Sequence, residues 1–504
     1  MRLLYSLLVA LFLSVSTSCS QPTSQADEFA VVADSFIASA LQGINGIPGV
    51  SIAVVRGNEV VYLRAFGDAD REAGIEATPD TPYYIASSTK SFTALLAVLL
   101  DREGVIDLDL SLAEAFPDVT FSNDVRAQSA SLRSLLSHTH GIENDPIVRR
   151  TAFTGEHTPE VLHGLLSAST PNAEAPLGTF QYTNVGYNIL SIYLDRTTGQ
   201  RWQDLLDDRI FTPAGMEHTT AYASEPDRGG WGKAAPYGPF GENGPERLYL
   251  EKQDNTMQAA GGMYASARDL ARWVILQLND GQLDGDEVFP ADIIKQVHEP
   301  VAVVDANYGP FLRTGYGLGW YTGTYDGEAM MHHFGGFGGA HAHVSFLPER
   351  DLGVVVLINE SDVGGRLATL VSTFAYEWWL GRPDVVARFE GQRDELAAGF
   401  GQFREQFRQG IAERAKRTWT ITLAPGAYAG TYRNEHFGTI EVMADGRTLS
   451  ARYGNMRAVA TPFTAPETMR VEFVPGQGEV IAFQVAAGRV AALRFDGAVF
   501  DRVE

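Results

Sequence analysis

The stretch YYIASSTKSFTALLAVLL, residues 83–100, turns from strand-like to helical hydrophobic spacing, and Ser87 and Lys90 stand three residues apart at the change. One reading is local: Ser is a favoured helix N-cap, and a Lys in the first turn is solvated. The other is chemical. Positions i and i+3 share a helix face, so the pattern sets a hydroxyl beside an amine able to take its proton. The chain has five lysines among 39 basic residues, and the residues three before the other four are Gly230, Tyr249, Asp292 and Glu413. Lys90 is the one lysine with Ser at that spacing. Arg cannot stand in for it, because only the amine can be made neutral near pH 7 by burial or neighbouring charge.

Outward from this stretch, GVSIAVVRGNEVVYLRAFG (49–67) alternates about Gly57-Asn58 and is expected to form a β-hairpin. The middle of the chain carries helical periods, as in SLRSLLSHTHG (131–141) and ARDLARWVILQLNDG (267–281), the second closing on Gly281. Strands return in AHAHVSFLPERDLGVVVLIN (340–359), two runs joined by a Pro-Glu-Arg-Asp turn. Strands at both ends with helices between predict an α+β domain over 29–381, an antiparallel sheet flanked by helices with an inserted helical lobe. The charged segment 382–417 is expected to be a helical linker. Beyond it, 418–504 reads as a small all-β module of barrel type, with a turn at Asp445-Gly446.

With 504 residues, 45% of them apolar, the chain is too long for one ordinary core. Its net charge of -23, with no basic run, argues against nucleic acid and anionic lipid head groups as partners. Residues 1–19 read as an export signal, with Arg2, an apolar run from Leu3 to Val15, and small residues before Cys19. Cys19 is the only cysteine, so no disulfide, thiolate nucleophile or cysteine metal site serves the mature fold. Its position resembles the lipid-attachment cysteine of bacterial lipoproteins, although Ser16 stands where that pattern usually has Leu. The expectation is an exported, periplasmic or cell-envelope protein, membrane-anchored through a lipidated Cys19, with 20–28 as tether.

A Ser and Lys on one helix still need a proton relay and electrophile stabilisers. FQYTNVGYNIL (180–190) offers Tyr182 and Asn184 just before an apolar helix, a phenol to pass a proton and an amide to hold a substrate carbonyl. HFGGFGG (333–339) opens a strand-like run with glycines that let a substrate approach the backbone. With LRSLLSHTHGI, AAGGMYASARDLARW, YGLGW and LPERDLGVVVLIN, these pieces resemble the penicillin-binding and class C β-lactamase superfamily of serine hydrolases from about Pro48 to Gly381. The 418–504 module, with AGTYRNEHFGTIEV, is similar to the lipocalin-like domains appended to many members. The resemblance implies a β-lactamase/transpeptidase-like fold, with Ser87 as acyl-accepting nucleophile and Lys90 and Tyr182 sharing its proton. It also implies Asn184 orienting the substrate and the N–H groups of Ser87 and Gly336 binding the oxyanion. No cofactor or metal is called for, and the partner is a small-molecule or peptide substrate.

The family's Lys-Thr-Gly triplet is replaced by His333-Phe334-Gly335. A fixed positive charge suited to a carboxylate gives way to a His about half charged or less at neutral pH, which argues for neutral or amine-bearing substrates. The resemblance, to a superfamily whose esterases and D-amino-acid peptidases often carry His here, implies esters or D-amino-acid amides ahead of β-lactams or D,D-peptides. Two rivals stand beside this reading. HTH at 138–140 and HAH at 341–343 set imidazoles at i and i+2, as a zinc hydrolase would, without a His-Glu-x-x-His motif. A non-catalytic member binding peptidoglycan or a protein partner is the other.

Overall fold

The structure is a computed structural model describing residues 24–241 and 244–503; the segment around Cys19 lies outside the described residues. Helix Gln25–Ile44 opens on a capping box in which the Asp27 N–H donates to Ser24 Oγ and the Ser24 N–H to Asp27 Oδ2. Residues 25–28, expected as tether, are therefore its first turn. The helix buries Phe29, Phe36, Ile37 and Ala40 against the sheet.

That sheet has nine antiparallel strands. The hairpin Gly49–Arg56 and Glu59–Asp70 forms as expected about Gly57-Asn58, and its first strand pairs with Leu352–Ile358, Val54 opposite Val354. Next come Ala340–Leu347 and Glu328–Phe337, so the two ends of the domain close one sheet. Gly49–Arg56, Ala340–Leu347 and Leu352–Ile358 are buried nearly throughout, because both faces are covered. On one face lie Gln25–Ile44, Gly364–Trp379 and the long helix Val385–Ala415. The last is more than the linker expected of 382–417: its Phe389 and Phe400 are buried in the core below the sheet. On the other face lie Thr89–Arg102, Ala267–Leu278 and the helical lobe. Phe92 stacks on Trp273 with centroids 4.0 Å apart, a geometry contributing about 1 kcal/mol beyond burial, and this fixes the helix that carries Lys90. SLRSLLSHTHG yields only Leu132–Leu136; Ser137 leaves the helix and His138 takes a positive φ of 59°.

The C-terminal module is a nine-stranded antiparallel sheet curled until Met456–Val459 lies beside Thr468–Val474, a nearly closed barrel. Tyr428, Tyr432, Leu449, Tyr453, Phe473 and Phe500 fill its interior. It docks on the lobe, where the Asn455 N–H donates to the Thr154 carbonyl (2.9 Å) and Arg150 Nε to the His436 carbonyl (2.6 Å).

Candidate active site

Ser87 lies in a single 3₁₀ turn, Ala86–Ser88, and helix Thr89–Arg102 follows with Ser88 as its N-cap residue. The expectation that Ser87 is itself the cap is corrected. Ser88 Oγ donates to the His333 carbonyl (2.9 Å) instead of capping a backbone N–H, tying the turn to strand Glu328–Phe337. Just before Ser87, Ala86 holds φ at +45°, a left-handed state costing a residue with a Cβ about 1 kcal/mol or more. Its surroundings pin it there. A Cβ at Gly335 would sit 1.9 Å from the Ile85 carbonyl oxygen, and one at Gly261 3.3 Å from the Ala86 carbonyl carbon. Glycine at 335 lets the strand press against the turn.

Lys90 is fully buried. Its Nζ lies 3.3 Å from Ser87 Oγ, 2.8 Å from Asn184 Oδ1 and 2.6 Å from the Ala260 carbonyl, and no carboxylate pairs with it among the described residues. Burial pushes the amine well below its usual range. A neutral amine has two N–H donors and one lone pair. Two carbonyl-type oxygens take the donors, which leaves the lone pair for the Ser87 hydroxyl. Asn184 precedes helix Val185–Thr198 in the N-cap position, yet its side chain serves Lys90 and not the helix end.

Burial raises the pKa of Tyr182 and outweighs the lowering effect of the nearby Ser87 hydroxyl, so it remains a phenol. Its ring is held between Tyr321 (centroids 6.0 Å, 23°) and His138 (4.6 Å), with the Lys90 amine 4.8 Å from its centroid. His138, weighed in the sequence only as a zinc ligand, has Nε2 3.2 Å from the Tyr316 hydroxyl and accepts from the Thr183 N–H at Nδ1 (3.3 Å). It positions the tyrosine. His343 hydrogen-bonds Ser345, and among the described residues no group of three or more His, Cys, Asp or Glu could hold a metal ion.

His333 is buried, with its ring 5.9 Å from that of Tyr182. Nδ1 lies 3.1 Å from the Phe334 carbonyl, which fixes its proton there, and Nε2 has no partner among the described residues. Burial, reinforced by Lys90, holds its pKa well below the ordinary value. The sequence expectation is a His about half charged or less at neutral pH; burial moves it further toward the neutral imidazole. Gly336 is exposed at the mouth, next to Gly335 against the Ser87 turn. The structure thus gathers Ser87, Lys90, Tyr182, Asn184, His333, Gly335 and Gly336 in one site. Sequence reasoning passed over Ala260, whose carbonyl orients Lys90, and Arg313, whose guanidinium stacks 3.7 Å over Tyr321.

The beta-lactamase family model matches residues 37–370. The chain belongs to that family. Protein flp of Staphylococcus aureus (strain MW2) is 26% identical over 326 residues, which is 62% of this chain and 60% of that protein. The chain therefore spans less than two thirds of that relative's length. Unguisins hydrolase ungD of Aspergillus violaceofuscus is 25% identical over 464 residues, 85% of this chain and 79% of that one. The octameric penicillin-binding protein homologue from Pyrococcus abyssi has a similar fold, with a TM-score of 0.59 at 22% identity, covering 93% of this chain and 98% of that one. The Ser87 turn, the lobe and the glycine-bearing strand come from three distant parts of the sequence.

Proposed function

We propose that this protein is an exported serine hydrolase that acts through an acyl-enzyme on Ser87, its substrates being esters or D-amino-acid amides. The observation that supports it most is the buried, uncompensated Lys90 amine, whose lone pair is left for Ser87 by its two carbonyl partners. As Ser87 Oγ attacks the substrate carbonyl carbon, its proton passes to Lys90 Nζ. The carbonyl oxygen becomes an oxyanion held by the N–H groups of Ser87 and Gly336. Tyr182, a phenol within hydrogen-bonding reach of Ser87, gives its proton to the departing alkoxide or amine and is reprotonated from Lys90. Water then attacks the ester along the same path in reverse, restoring Ser87. A neutral His333 in place of the family's lysine supports a substrate without a carboxylate at that strand, hence esterase or D-aminopeptidase ahead of β-lactamase. The name of the fungal relative, a hydrolase of unguisins, agrees with acyl hydrolysis.

The test is covalent. A fluorophosphonate should add one adduct mass to the protein, on the peptide that contains Ser87, and Ser87→Ala should abolish the adduct and turnover of p-nitrophenyl esters and D-aminoacyl anilides. Undiminished turnover by that variant would refute the nucleophile.

A further inference from the structure

Of the chain's five lysines, Lys90 lies beside Tyr182, Lys252 beside Phe337 at the end of strand Glu328–Phe337, and Lys233 shares a cavity with Lys252. Lys90 is accounted for; Lys252 and Lys233 are not. Lys252 is buried, its Nζ 3.8 Å from the ring centroid of Phe337 and 5.5 Å from those of Tyr84 and Phe153. It donates to the Ala152 carbonyl and pairs with no carboxylate among the described residues. Packing alone does not ask for an amine here, since Met would fill an aromatic cage without the cost of burying a charge. Lys252 lines a narrow cavity with Tyr84, Tyr264, Phe337 and Ala340. It also lines a wider one of about 640 Å³ that Lys233 and, from the barrel, Asn455 share.

The position of this cage along the strand assigns its side of the substrate. On Glu328–Phe337 the residues turned toward the nucleophile are His333, Gly335 and Phe337, two positions apart. Gly335 touches the Ser87 turn, His333 lies beside Tyr182, and Phe337 lies beside Tyr84 at the other end. The leaving group takes its proton at the Tyr182 end. The acyl chain left on Ser87 therefore runs toward Phe337 and Lys252.

We propose that the cavity beyond Phe337 is an acyl-side subsite in which Lys252 binds a carboxylate at the far end of the acyl group, making the substrates derivatives of dicarboxylic or acidic acyl units. This rests on the acyl-enzyme reading above. The titratable groups around the amine leave it as the anchor: Tyr84 and Tyr264 are kept as phenols by burial, Glu251 is paired with Arg247, Lys233 with Asp227, and Asp254 accepts from Ser224. Burial brings Lys252 down to about 7, so it is charged on the acid side of neutrality.

The experiment compares 4-nitrophenyl monoesters of glutaric, adipic and pimelic acid with the same compounds methylated at the free carboxyl, spontaneous hydrolysis subtracted. In the full chain at pH 6, kcat/KM should favour the free acid by about tenfold or more for at least one chain length. The preference should shrink between pH 6 and 8.5, and Lys252→Met should reduce it to near unity, with Lys252→Arg retaining part of it. Preference for the methylated compound at every length, or an acid preference that survives Lys252→Met, overturns the subsite while leaving the Ser87 reading intact. Failure of every ester together with absence of fluorophosphonate labelling overturns both.

Discussion

Replacing Lys90 with Met tests whether the amine is neutral in the folded protein, and the answer can be read from stability as well as from rate. Met is close in volume and unbranched, so the cage of Tyr182 and Tyr187 rings about the amine is kept. Two donated hydrogen bonds are lost, to Asn184 Oδ1 and the Ala260 carbonyl, each about 1 kcal/mol. Against this the variant no longer buries an amine whose charged form is disfavoured. The pH dependence separates the two effects. The unfolded chain carries Lys90 protonated up to about pH 10.4, while the native state releases that proton at its depressed pKa. Between the two values the unfolded state binds one more proton, so wild-type stability relative to Lys90→Met rises with pH, by about 1.4 kcal/mol per unit. Urea denaturation of both proteins at several pH values from 7 to 9.5 measures this difference, and other groups cancel. Fluorophosphonate labelling should meanwhile slow by about 10²- to 10⁴-fold, the usual contribution of a general base. Parallel stability curves would refute the argument, because they would mean Lys90 is charged in both states.

Gly335→Ala places a Cβ 1.9 Å from the Ile85 carbonyl oxygen; backbone must move, at about 1–3 kcal/mol by denaturation, and labelling should fall further than stability because the displaced segment leads into Ser87, the proposed nucleophile. Ser87→Ala, at a half-exposed position, should change stability by less than about 1 kcal/mol while abolishing labelling. For wild type, kcat/KM should show no titration near pH 6.5 from His333; a step there that vanishes in His333→Asn would show that the imidazole charges in acid. Cys19→Ser should move the protein from membrane to soluble fractions, and an unchanged distribution counts against the lipid anchor.

Much of this arrangement was legible because its signals are local. The hairpin about Gly57-Asn58, the paired strands around Pro348–Arg350 and the Ser87–Lys90 spacing each follow from a few adjacent residues. What escaped depends on contacts distant in sequence. Ser88, and not Ser87, directly precedes the helix, and its Oγ is taken by the His333 carbonyl 245 residues away. The charged surface of 385–415 hid that Phe389 and Phe400 anchor this helix to the sheet layer. The neutrality of His333 depends on burial that strand alternation alone does not reveal.

That neutrality changes what the site can recognise. A lysine in the family's triplet donates hydrogen bonds and carries a charge; His333, its Nδ1 proton committed to the Phe334 carbonyl, is left with only a lone pair on Nε2. A carboxylate brought up to a lone pair meets repulsion, whereas an ammonium or hydroxyl meets an acceptor. A second lysine there would also stand close to Lys90, as the effect of Lys90 on the His333 pKa shows. Two buried amines so near each other would each disfavour the other's charge, and a permanently charged one would drive Lys90 further toward neutrality than catalysis needs. The imidazole leaves the Lys90 pKa to be set by its own burial. Fixed positive charge appears two strands away instead, on Arg313, stacked over Tyr321 and acting on Tyr182 through the field rather than by contact. A guanidinium there lowers the cost of any negative charge on the phenol oxygen.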